Sequence, residues 1–71
     1  MSIEYTITAG DSSTDLGTVG KAKTLLSAKR IGRKAVNESL PNGQGGYRVW
    51  TADRQQVGGE ERSIRTGNRW A

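Results

Sequence analysis

Six basic residues stand between positions 21 and 34: Lys21, Lys23, Lys29, Arg30, Arg33 and Lys34. No acidic residue interrupts them. Like charges three or four residues apart repel along a helix. Solvated helix faces ordinarily mix signs, so an unmixed run points to a polyanionic partner such as nucleic acid. At helical spacing Lys23, Arg30 and Lys34 share one stripe, with Arg33 beside it.

A second basic group follows at Arg48, Arg54, Arg62, Arg65 and Arg69. Strand alternation through Tyr47-Arg48-Val49-Trp50 sets Arg48 and Trp50 on one face and Tyr47 and Val49 on the other. With Val49 in the core, Trp50 stands among arginines, an arrangement that stacks a base and holds its phosphate. The competing arrangement buries Trp50 and turns Tyr47 outward. The shortage of large apolar residues favours that alternative.

Other chemistry finds little support. The chain has no cysteine and no histidine. Disulfides, thiolate zinc sites, cysteine nucleophiles and imidazole bases are therefore excluded. Glu60 and Glu61 are adjacent, so on a strand they point to opposite faces and cannot converge on a substrate. Ser12, Ser13 and Thr14 have no histidine to activate them. Asp11 and Asp15 suit a helix start, as cap and dipole partners. A phosphate loop fails because Asp15 replaces its first glycine and Ala22 replaces its Ser or Thr. A helix-turn-helix across 24–42 fails at Arg33, where an apolar residue belongs, and at Pro41, which stops a second helix. The expectation is a non-catalytic protein with no cofactor and no metal.

The elements that must position these residues follow from periodicity. Residues 3–9 alternate apolar and polar, which predicts a strand with Ile3, Tyr5, Ile7 and Ala9 on the core face. Residues 10–17 (GDSSTDLG) read as a mobile loop. A helix is predicted over about 18–39, with Ser12 and Asp15 spaced like a capping box and Pro41, Asn42 and Gly43 closing it. Ala22, Leu25, Leu26, Val36 and Leu40 gather on its apolar side. Ile31 lies off that side, Lys29 and Arg33 lie within its arc, and Gly32 marks a bend or break there. Strands are predicted at 47–52 and around 56–66, the latter interrupted at Gly58-Gly59. The tail 67–71 is loose unless Trp70 docks. The predicted fold is a single α+β domain, 1–71, of order β-α-β-β, with one helix on a three-stranded, mostly antiparallel sheet.

The composition sets the remaining bounds. The chain has 71 residues, is 32% hydrophobic and lacks phenylalanine. One thin core of this kind barely offsets chain entropy, so a homodimer is one expected way to complete it. Eleven basic residues against seven acidic ones give a net charge of +4, which favours polyanions. No leader-like or membrane-spanning run is evident, so a cytoplasmic protein without membrane contact is expected. The leading expectation is a nucleic-acid-binding module using Lys23, Arg30, Arg33, Lys34, Arg48, Trp50, Arg62 and Arg65. The alternative is a protein-interaction module, a small accessory or inhibitor protein acting on a larger partner.

Overall fold

The computed structural model describes residues 4–11, 14–40 and 44–70. Ile3, Ser12, Ser13, Pro41, Asn42, Gly43 and Ala71 lie outside them, as does the side chain of Ile64. The expectations that fall there concern the strand start, the capping box, the loop tip and the helix stop.

Four strands and one long helix follow in the order β1 (Tyr5–Gly10), β2 (Asp15–Ala22), α1 (Leu25–Ser39), β3 (Gly45–Trp50) and β4 (Gln56–Arg62), then a short 3-10 turn, Ile64–Thr66. The sheet order is β2-β1-β3-β4, and every neighbouring pair is antiparallel. The fold is therefore a small α+β domain, but β-β-α-β-β rather than β-α-β-β, with four strands rather than three. The difference lies in residues 15–22. Part of the expected loop and the expected start of the helix form β2, a hairpin partner of β1. That hairpin reverses the chain before the helix. The crossover through α1 then returns β3 to the other side of β1, where it runs antiparallel to it.

The helix consequently begins at Leu25, not near residue 18. Thr24 is its N-cap, with extended backbone and a hydroxyl that accepts the Ser27 amide at 3.1 Å. Such a bond satisfies one of the unpaired amides of the first turn. Thr24→Ala should lower stability by about 1 kcal/mol in urea unfolding, with the m-value unchanged.

The helix continues unbroken through Ile31 and Gly32 to Ser39. Its buried stripe is Ala28, Gly32 and Val36, at i, i+4 and i+8, flanked by Ile31 and Ala35. Leu25 and Leu26, expected in the core, are exposed. With Ala22 on a strand and the helix starting later, they no longer share the face that meets the sheet. The core consists of Ile7 and Ala9 from β1, Ala22 from β2, Tyr47 and Val49 from β3, the three helix residues and Leu40. Trp70 docks against it, which ties down the tail as far as that residue.

Small residues set the distance between the layers. A Cβ on Gly32 would stand 2.3 Å and 2.4 Å from ring carbons of Tyr47, so the helix backbone lies directly on that ring. A Cβ on Gly20 would stand 2.7 Å from Cγ2 of Ile31. Both edge strands are irregular, since register shifts break β2 twice and β4 once. Bulges of this kind twist an edge away from a flat pairing geometry.

Candidate nucleic-acid interface

The helix covers one side of the sheet and leaves the other side open. Alternation decides what stands there. Val49 and Tyr47 are buried on the helix side, so Arg48 and Trp50 lie on the open side. Tyr47, rather than Trp50, is the core aromatic.

Registers across the open face give three rows. Thr6 of β1 lies between Lys21 of β2 and Trp50 of β3. Thr8 lies between Thr18 and Arg48, with Gly59 of β4 beyond. Gly10 lies between Asp15 and Gly46, with Glu61 beyond. One end of the face is thus cationic, aromatic and hydroxyl-bearing, and the other is acidic and glycine-floored.

Trp50 is half-buried, and its indole N–H donates to Thr8 Oγ1 at 3.0 Å. That bond fixes the ring across the β1–β3 seam and leaves part of its surface in solvent. Arg48 is exposed and makes no ion pair among the described residues. Lys21 meets Glu4 at 3.5 Å, both well exposed. Such a surface pair contributes little and yields readily to a phosphate.

The remaining basic residues are divided among other surfaces. Arg30 and Lys34 are exposed on the outer face of α1, with Lys23 exposed just before it. This surface lies on the opposite side of the domain from Arg48 and Trp50. Arg65 is exposed beyond β4 and lines the open side.

Arg33 and Arg62 are engaged within the fold. The Arg33 guanidinium makes a bidentate pair with Glu60, Nε to Oε1 at 2.9 Å and Nη2 to Oε2 at 2.8 Å. It also lies 5.5 Å from the centroid of the Trp70 ring. The Tyr47 hydroxyl donates to Glu60 Oε1 as well, and the Tyr47 and Trp70 rings meet at 5.8 Å, tilted by 59°. Arg62 Nη1 donates to Asn37 Oδ1 at 2.9 Å, another bridge from β4 to the helix. These contacts fasten β4 and the C-terminal segment to α1, so neither arginine adds to a continuous patch with Lys34. The eight residues assigned from sequence thus fall on the outer side of the helix and its approach, on the open sheet face, and on two bridges from β4 to the helix, Arg33–Glu60 and Arg62–Asn37.

The clamp shifts its own ionisations. Hydrogen bonding from Arg33 holds the Glu60 carboxyl below its ordinary range, helped by Tyr47. The same pairing raises Arg33. Burial, then the Glu60 carboxylate, pushes the Tyr47 hydroxyl above its usual value.

Helical spacing sets Arg33 inside the apolar arc of the helix without showing its partner. A cation on a buried arc is the signal that an acid waits opposite, and Glu60 is that acid. Among the described residues no cluster of acidic side chains is arranged to hold a metal ion, and no helix is long and apolar enough to cross a membrane. Comparison with protein-family models, with curated proteins and with solved structures gives no match.

Proposed function

We propose that this protein is a non-catalytic module that binds single-stranded nucleic acid on the open face of its sheet. One observation carries the reading: with Val49 in the core, Trp50 and Arg48 stand together on an uncovered sheet face. A half-exposed indole offers a stacking surface for any base, and Arg48 and Lys21 flank it with positive charge for the backbone. Thr6, Thr8 and Thr18 add hydroxyls between them. The net charge of +4 draws a polyanion toward the domain. The outer ridge of Lys23, Arg30 and Lys34 strengthens this long-range attraction from the far side.

The test is a titration with labelled single-stranded oligonucleotide, followed by fluorescence anisotropy at about 50 mM and about 200 mM salt. Affinity should fall steeply between the two. Arg48→Gln, at an exposed position, should weaken binding several-fold and reduce the salt slope by about one. Trp50→Ala should weaken it by roughly tenfold or more, as removal of a stacking aromatic does, while Trp50→Phe retains most of the affinity. The triple change of Lys23, Arg30 and Lys34 to Gln should cost less than Arg48→Gln. A larger loss from the triple variant moves the interface to the helix. No binding by the wild-type protein at low salt refutes the proposal.

A second surface suits a protein partner. Leu25 and Val57 are exposed beside a groove of about 190 Å³ that Lys29, Tyr47 and Val49 also line. It lies between the first turns of the helix and β4. Binding there would be largely insensitive to salt, unlike binding through phosphates.

A further inference from the structure

The acidic end of the open face is at odds with a surface that holds phosphate alone, and its shape gives it a second role. Gly10 and Gly46 face each other across the β1–β3 seam, and Gly59 stands opposite Arg48. None of the three has room for a side chain. A Cβ on Gly10 would lie 2.7 Å from the Thr14 carbonyl oxygen, on Gly46 2.9 Å from that of Glu60, and on Gly59 2.8 Å from that of Tyr47. The strands therefore close tightly on this side, and bare backbone floors a trough of about 980 Å³. Arg48 and Arg65 line it together with Asp11, Asp15 and Glu61.

These three carboxylates differ in their engagement: Asp11 Oδ1 accepts the Thr14 amide at 2.5 Å. Asp15 Oδ1 accepts the Gly17 amide at 2.9 Å, which holds a local turn. Glu61 is exposed and has no hydrogen bond or ion pair among the described residues. It stands directly beside Gly46, across one strand spacing, while Arg48 lies two residues along the same strand as Gly46. A cation and a carboxylate thus flank the glycine stretch of the trough. A nucleotide has the matching polarity, with an anionic phosphate at one end and, in some bases, an exocyclic amine at the other.

We infer that the trough seats one base on the Gly10–Gly46 floor and that Glu61 selects bases bearing an exocyclic amine. A carboxylate accepts from the N4 amine of cytosine. At position 4 uracil presents the O4 acceptor instead, and there two acceptors repel. This inference rests on the single-strand reading above and adds a specificity to it.

Oligo-dC and oligo-dU of equal length isolate the point, because the two pyrimidines are alike in size and differ at position 4. The wild-type protein should bind oligo-dC about tenfold more tightly than oligo-dU. Glu61→Gln supplies an amide that both donates and accepts, so it should raise oligo-dU affinity and abolish most of the preference. Arg48→Gln should weaken both oligonucleotides by the same factor and leave their ratio unchanged. Equal wild-type affinities, or a preference that survives Glu61→Gln, overturn the inference while leaving single-strand binding intact. Absence of binding to either oligonucleotide at low salt removes both readings together.

Discussion

Gly32→Ala should destabilise the domain by about 2 kcal/mol, within the range of overpacked cores, and lower its thermal midpoint by about 8–16 °C in circular dichroism. Helix propensity alone predicts the opposite, a gain of up to about 1 kcal/mol. The two effects have opposite signs, so the experiment decides between them. The new methyl group would meet Cβ, Cγ and Cδ2 of Tyr47 at 2.3–2.8 Å. Those atoms lie at the root of a buried side chain and cannot swing aside as a flexible tip can. Relief requires the helix to lift from the sheet, which opens the layer where Ala28 and Val36 are fully buried. Gly20→Ala is the control. Its obstacle is the Ile31 side chain, which can change rotamer, so the loss there should be smaller. A neutral or stabilising Gly32→Ala would show that the close helix approach is not a determinant of the fold.

Glu60→Gln should lower stability by roughly 1–2 kcal/mol near neutral pH, because two donors lose a charged acceptor in a partly exposed setting. It should also change the pH dependence. In the wild-type protein Arg33, then Tyr47, lowers the Glu60 carboxyl from its ordinary 4.5. The folded state therefore binds its proton less readily than the unfolded chain does. That contribution is present above 4.5 and is lost as pH falls through the lowered folded value. Tyr47 acts on the other side. Its hydroxyl is raised from 10.0 by burial first, so its contribution is full below 10 and fades as pH climbs above it. Urea midpoints measured across pH should show both limbs for the wild type. With Gln at position 60 the acid limb should flatten. An unchanged acid limb would mean that other carboxylates govern acid unfolding.

Much of this architecture is legible in the chain, and the illegible parts have physical causes. The alternation of Tyr5, Ile7 and Ala9 marks β1 because it is unbroken. Val49 and Tyr47 mark β3 in the same way. β2 is hidden because its two register shifts break the period of two, and because Gly17 and Gly20 resemble turn residues. Gly17 adopts a φ of 67°, and Gly20 makes room for Ile31; both serve a strand. Gly32 resembles a helix break for the same reason, since a residue chosen for close approach carries the signature of flexibility. On the open sheet face, alternation alone pairs Arg48 with Trp50. Which face they share depends on Val49 and Tyr47 being buried together. The grouping of Arg33 with Lys34 was misleading because adjacent helix residues lie about 100° apart, and that angle separates a clamp from a solvated ridge.

The sheet order has a kinetic consequence. β1 with β2 and β3 with β4 are hairpins, pairings between near neighbours in the chain that close quickly. Only the seam from Thr6–Trp50 to Gly10–Gly46 joins distant parts of the sequence within the sheet. The loop entropy of that joining is lost once, with the helix shortening the span that must be bridged. Residues that stabilise the seam should therefore govern the folding rate, and those within either hairpin should act more on unfolding. Thr8 and Trp50 bridge that seam with a hydrogen bond. Trp50, proposed to stack on a base, would thus also help set how fast the chain first finds its shape.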